Sequence, residues 1–217
     1  MPGPVISWLL VVALGAYHGI NPGMGWLLAV SNGMQARRGA AVFRALVPIG
    51  AGHFLAMAAA LLPFALLTTY VSQQRLIGLA AGLALMAWGL YTLMRNKHPR
   101  FLARIKPTHL TLWSFLMATA HGAGFMLLPV YLRLCGPEPA DAAHAAMMAL
   151  LQRDMSTALL VASVHTLAML ATGGSIAWMV YRYWGLRALR QTWFNLNLLW
   201  SVMLLGSGAL ATWAATR

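Results

Sequence analysis

Six stretches of this chain run for about 20 apolar residues or more, the length that crosses the hydrocarbon core of a bilayer. They are Val5 to Val30, Ala41 to Leu67, Leu76 to Met94, Thr111 to Leu132, Thr157 to Val180 and Thr192 to Trp213. No Asp, Glu or Lys falls inside any of them. Such runs are too long and too continuously apolar for barrel strands, which alternate over about 10 residues. Only helices or closed barrels satisfy every backbone donor and acceptor in lipid, so the expected fold is all-α and polytopic, with six transmembrane helices. Hydrophobic residues make up 60% of the 217, charged residues 8%, and the mean hydropathy is +0.70; an ordinary soluble domain carries about 25% charged residues.

A net charge of +12 would suggest nucleic acid in a soluble protein, but here the basic residues sit mostly in short connections, so no nucleic-acid partner is expected. Eleven of the 15 fall after the first, third and fifth runs: Arg37, Arg38, Arg44; Arg95, Lys97, Arg100, Arg104, Lys106; Arg182, Arg187, Arg190. All three acids, Glu138, Asp141 and Asp154, fall on the other side. Basic loops stay cytoplasmic, which places both termini outside a cell membrane, most simply a bacterial inner membrane. A single cysteine, Cys135, excludes an internal disulfide framework and an all-thiolate metal site. The start MPGPVISWLL lacks a basic leader and a cleavage site, so no secretory signal is expected.

An odd number of helices per half inverts the second half, and the sequence carries such a repeat. AYHGINPGMGWLL in the first run returns as TAHGAGFMLL in the fourth, and GHFLAMA in the second as VHTLAML in the fifth. The expected organisation is therefore a first three-helix unit over 1–94, a basic cytoplasmic linker over 95–110 and a second three-helix unit over 111–217, related by inversion as in many transporters. Pro22 removes a helix hydrogen bond and Gly23 eases the break, so helix 1 is expected to break at Asn21-Pro22-Gly23 and line a cavity, since open backbone at that depth is tolerated only there or against protein. Between the fourth and fifth helices, AHAAMMALLQ reads as a separate interfacial helix or a plain linker. Gly78 and Gly82 form a GxxxG that suits close helix approach.

His18, His53, His121 and His165 fall about 12–20 Å inside their helices at 1.5 Å per residue. Ionisable groups at that depth are costly and mark pathways and sites. With no carboxylate there, a cation would have to be held by neutral imidazoles, carbonyls, Asn21 or the thioether of Met24. Imidazole suits nickel, cobalt, copper and zinc. Other readings stay open: two axial pairs for haem b, with small residues leaving room for the macrocycle; a subunit or assembly factor of a membrane complex; or imidazoles that only bond neighbouring carbonyls. A homo-oligomer is compatible with each. No P-loop or dinucleotide fingerprint in a fitting context appears, so no enzyme is expected.

The segment G-I-N-P-G-M-G-W-L-L resembles the G-L-x-P-G-P-x-x-L-L signature of the lysine exporter superfamily. HGINPGMGW followed by GAGHFLAM is most similar to the nickel/cobalt efflux family within it, which pairs an H-A-x-x-P-G-H-x-K helix with a G-H helix. Met24 takes the place of the second motif histidine and Trp26 that of the lysine. The resemblance implies a six-helix exporter in two halves, with His18, Pro22, Gly23 and His53 in the site. It also admits an exporter of small organic solutes, whose carboxylate the broken helix would receive.

Overall fold

The computed structural model describes residues 4–68, 74–95, 105, 107–120, 122–134, 144–184 and 196–216. His121, Cys135 and most of the 95–110 linker lie outside the described residues. Among those described there is no strand. The helices are α1 (Pro4–Ile20), α2 (Trp26–Ala36), α3 (Ala40–Thr68), α4 (Gln74–Arg95), α5 (Leu110–Ala120), α6 (Ala123–Leu134), α7 (His144–Met179) and α8 (Leu196–Thr216). Short 3₁₀ turns at Pro22–Met24 and Pro107–His109 precede α2 and α5, and a π-helical turn, Val180–Trp184, closes α7.

The first apolar run breaks where its sequence asks it to. Asn21 caps the 3₁₀ turn by accepting the Gly23 N–H at 2.9 Å, and Gly25, at φ +107°, redirects the chain into α2. Only glycine adopts that backbone without strain, and an added Cβ would also press on Ile49 at 3.0 Å. The fourth run, read as one span, is likewise two helices: Gly122 turns at φ +66° between α5 and α6. HGAG carries the glycines of the first break without its proline, and glycine alone suffices. The segment read as an interfacial helix or linker is instead the start of α7. Its Ala, Met, Leu, Gln and Arg residues are strong helix formers, and nothing between His144 and Met179 stops the helix before the double glycine Gly173-Gly174, through which it also continues.

Two stretches, Ala40–Pro63 and Asp154–Trp184, are long and apolar enough to cross a membrane; Val5–Ile20, Leu79–Met94 and Leu110–Thr119 are shorter apolar helices. Leu9, Val47, Leu83, Leu116 and Leu167 point outward, each more than half exposed. Apolar surface on this scale marks contact with something other than water.

Packing interleaves the two halves of the sequence. α1 lies along α7, α5 along α3, α3 against α7, and α4 against α8. Gly15 and Gly19 set the first of these contacts: a Cβ on Gly15 would strike the His165 carbonyl, and one on Gly19 the Met169 carbonyl. A step of four residues on α1 thus matches a step of four on α7, so the two run parallel. Gly52 does the same work for α3, its Hα face lying on the Thr111 carbonyl and on Ser114, and Ser114 donates from Oγ to the Ile49 carbonyl at 2.7 Å. Two apolar clusters result. One gathers Val11, Met57, Leu61, Leu127, Tyr131 and Val161; the other gathers Leu28, Val30, Ile49, Leu110 and Ala177.

Candidate functional site

Between those clusters, along each of α1, α3 and α7, stands one histidine. His18 occupies the last turn of α1, His53 the middle of α3 and His165 the middle of α7. The close α1–α7 crossing brings the His18 and His165 ring centroids to 5.2 Å. His53 completes a triangle at 5.7 Å from His18 and 5.6 Å from His165. All three side chains are buried, at 2% exposure or less. Sequence reasoning named four histidines at one depth; three are brought together, and His121 lies outside the described residues.

None of the six ring nitrogens has a hydrogen-bond partner. The Leu14 carbonyl interacts with His18 and the Val11 carbonyl with His165, although neither contact meets strict hydrogen-bond geometry. A neighbouring carbonyl thus serves His18 and His165 weakly and His53 not at all. Leaving a buried polar group unpartnered costs about 1–3 kcal/mol, and such groups are rare enough to require a reason.

The rings do not converge on one point. His53 and His165 stack with their planes within 10° of each other, while His18 meets them at 62° and 68°. Among the described residues no set of three His, Cys, Asp or Glu side chains is arranged to hold a metal ion. The spacing is nonetheless that of a liganding triad: with metal–nitrogen bonds of roughly 2.1 Å, three ring centres around one ion stand about 5–5.5 Å apart.

The break after His18 is satisfied in part from within. Besides the Asn21 cap, the Met24 N–H donates to the Asn21 carbonyl at 3.0 Å, and the Trp26 indole N–H donates to the Ile20 carbonyl at 3.1 Å. The amides of Gly23 and Met24 are thus engaged, while those of Trp26 and Leu27 at the start of α2 have no backbone acceptor. Haem fares poorly, because the small residues beside the histidines are filled by neighbouring helices: Gly15 and Gly19 by α7, Gly52 by α5.

Met24 is buried against Met169. Both line a small, partly open cleft together with Gly19, Ile49, Leu170 and Gly173. Four residues were given no role in the site by sequence reasoning. Gly15 and Gly19, spaced as GxxxG around His18, set the α1–α7 crossing and were legible by the rule applied to Gly78 and Gly82. Trp26, in the place of the motif lysine, bridges the break through its indole. Met169 stood out only as the methionine shared by GHFLAMA and VHTLAML, one of 14 in the chain.

Compared with family models, with curated proteins and with solved structures, the chain matches none.

Proposed function

We propose that this chain is a small polytopic membrane transporter that exports a transition-metal cation through a site formed by His18, His53 and His165. The observation that carries the reading is the buried triangle of imidazoles with six unpartnered nitrogens. A packed core gains nothing from such a cluster, whereas a site that takes up and releases an ion requires donors left free.

The six-span, inverted-repeat organisation belongs to the same proposal. Both broken runs bend just after a histidine, α1 packs on α7 as α5 packs on α3, and α3–α7 and α4–α8 pair each second and third helix with its counterpart. Contacts of this kind are those that a two-fold axis in the membrane plane would produce, and they support a site at the repeat interface. The distribution of basic residues supports cytoplasmic connections after the first, third and fifth spans. The motif resemblance supports the lysine exporter superfamily as the setting.

The test is ion retention and flux. Purified protein equilibrated with nickel, cobalt, copper and zinc is expected to retain about one ion, to lose it in His53→Leu, and to release it on acidification, since ligating imidazole must be neutral. Reconstituted in vesicles, the wild type is expected to move that ion and His53→Leu to fail. No retained ion and no flux in the wild type would overturn the proposal.

A further inference from the structure

The cleft beside the imidazoles has a direction. Gly19 and Met24 follow His18 along the chain, Met169 stands one turn after His165, and Ile49 one turn before His53. α1 and α7 run parallel, while α3 runs opposite to them: its Ile49 end joins Leu28 and Ala177, and its Met57 end joins Val11 and Val161. On all three helices, therefore, the cleft lies on the same end of the histidine triangle, about one helical turn or 5.4 Å away. It is the end that continues into α2 and the basic connections.

Its side chains are aliphatic or aromatic apart from two sulfurs. Gly19, Ile49, Leu170 and Gly173 supply no donor, and the Trp26 indole is committed to the Ile20 carbonyl. Neither the cleft nor the triangle contains a carboxylate or thiolate. A divalent cation stripped of water here would meet no anionic ligand, and burying such an uncompensated charge is costly. Thioethers and neutral imidazoles are instead the donors that select a soft, low-coordinate monovalent ion such as copper(I).

We propose that Met24 and Met169 form a thioether relay through which a soft monovalent cation of the copper(I) class passes between the α2 side of the molecule and the imidazole triangle. This rests on the reading of the triangle as an ion site, and it narrows the cargo from transition metals in general to a soft ion. The pair is not simply core filling in this account, because packing would be served equally by leucine, a substitution that preserves volume.

The experiment uses the full chain in detergent, reduced and anaerobic, with copper(I) titrated against a coloured chelator and with zinc(II) and cobalt(II) titrated in parallel. The wild type is expected to bind copper(I) at least tenfold more tightly than either divalent ion. Met24→Leu/Met169→Leu is expected to weaken copper(I) binding tenfold or more, leave any zinc(II) binding within twofold, and lose a sulfur scatterer from the copper X-ray absorption spectrum. The single variants, each expected to show a smaller loss, serve if the double variant does not fold. Retained copper(I) affinity in folded Leu variants, or a nitrogen-only copper shell in the wild type, overturns the relay. Preference for zinc(II) or cobalt(II) overturns it while leaving the transporter reading intact; no ion binding at all removes both.

Discussion

α4 and α8 meet much as α1 and α7 do, glycine against backbone, yet the two pairs treat their polar side chains in opposite ways. Gly82 lies on the Gly208 carbonyl, Gly208 on the Gly82 carbonyl, and Gly89 on Leu204. At that seam the Thr92 and Ser201 hydroxyls share a hydrogen bond at 3.1 Å, and Thr92 also donates to the Gly89 carbonyl. At the other crossing the same close approach buries three imidazoles and bonds none of them. Glycine contact alone thus decides where helices meet. What the polar groups do once buried separates a structural seam from a site.

The largest effects should come from the glycines and should fall on both seams alike. Gly19→Leu and Gly82→Leu each force a side chain into a neighbouring backbone, a strain of about 3 kcal/mol or more, and are expected to abolish monodisperse folded protein on size-exclusion chromatography. Gly206→Ala, whose added Cβ would meet nothing within 4 Å, should elute as wild type. A folded Gly19→Leu protein with its ion site intact would show that the α1–α7 crossing does not set the triangle.

Next in size is stabilisation by the bound ion, which should separate the seams. An ion at 100 times its dissociation constant raises stability by about 2.7 kcal/mol, read as a shift in thermal unfolding. The shift is expected to vanish in His165→Leu and to persist in Ser201→Ala. Without ion the order reverses: Ser201→Ala should cost about 1 kcal/mol for its lost hydrogen bond, whereas His165→Leu should leave stability unchanged or raise it, because the imidazole it removes satisfied no partner. Destabilisation of the ion-free protein by His165→Leu would mean that the triangle is structural after all.

The comparison also explains what could be read without the fold. Helical runs and the break at Asn21-Pro22-Gly23 follow from hydropathy and backbone chemistry, which act within one segment. His18, His53 and His165 were legible as candidates because imidazole deep in an apolar run is conspicuous. Their triangle was not, since the distances depend on how far Gly15 and Gly19 let α1 approach α7. The start of helix α7 was read as a separate interfacial helix or a linker because it precedes the fifth apolar run, although its Ala, Leu and Met residues made it a good continuation of that helix. The break at Gly122 was visible as an echo of the first, yet without proline the apolar run gave no reason to stop. Met169 gained a place in the site only when the cleft put it beside Met24.

The smallest expected effect sharpens the comparison from the site's own side. At the break beside the imidazoles the Trp26 indole serves the Ile20 carbonyl at the end of α1. Trp26→Phe keeps most of the ring and removes that donor. The carbonyl is partly reached by solvent, so a loss of about 0.5–1 kcal/mol is expected, with ion affinity within threefold of wild type. A larger loss of ion binding at unchanged stability would show that the indole sets the position of His18, two residues before Ile20, and that the break belongs to the site's working geometry as well as to its fold.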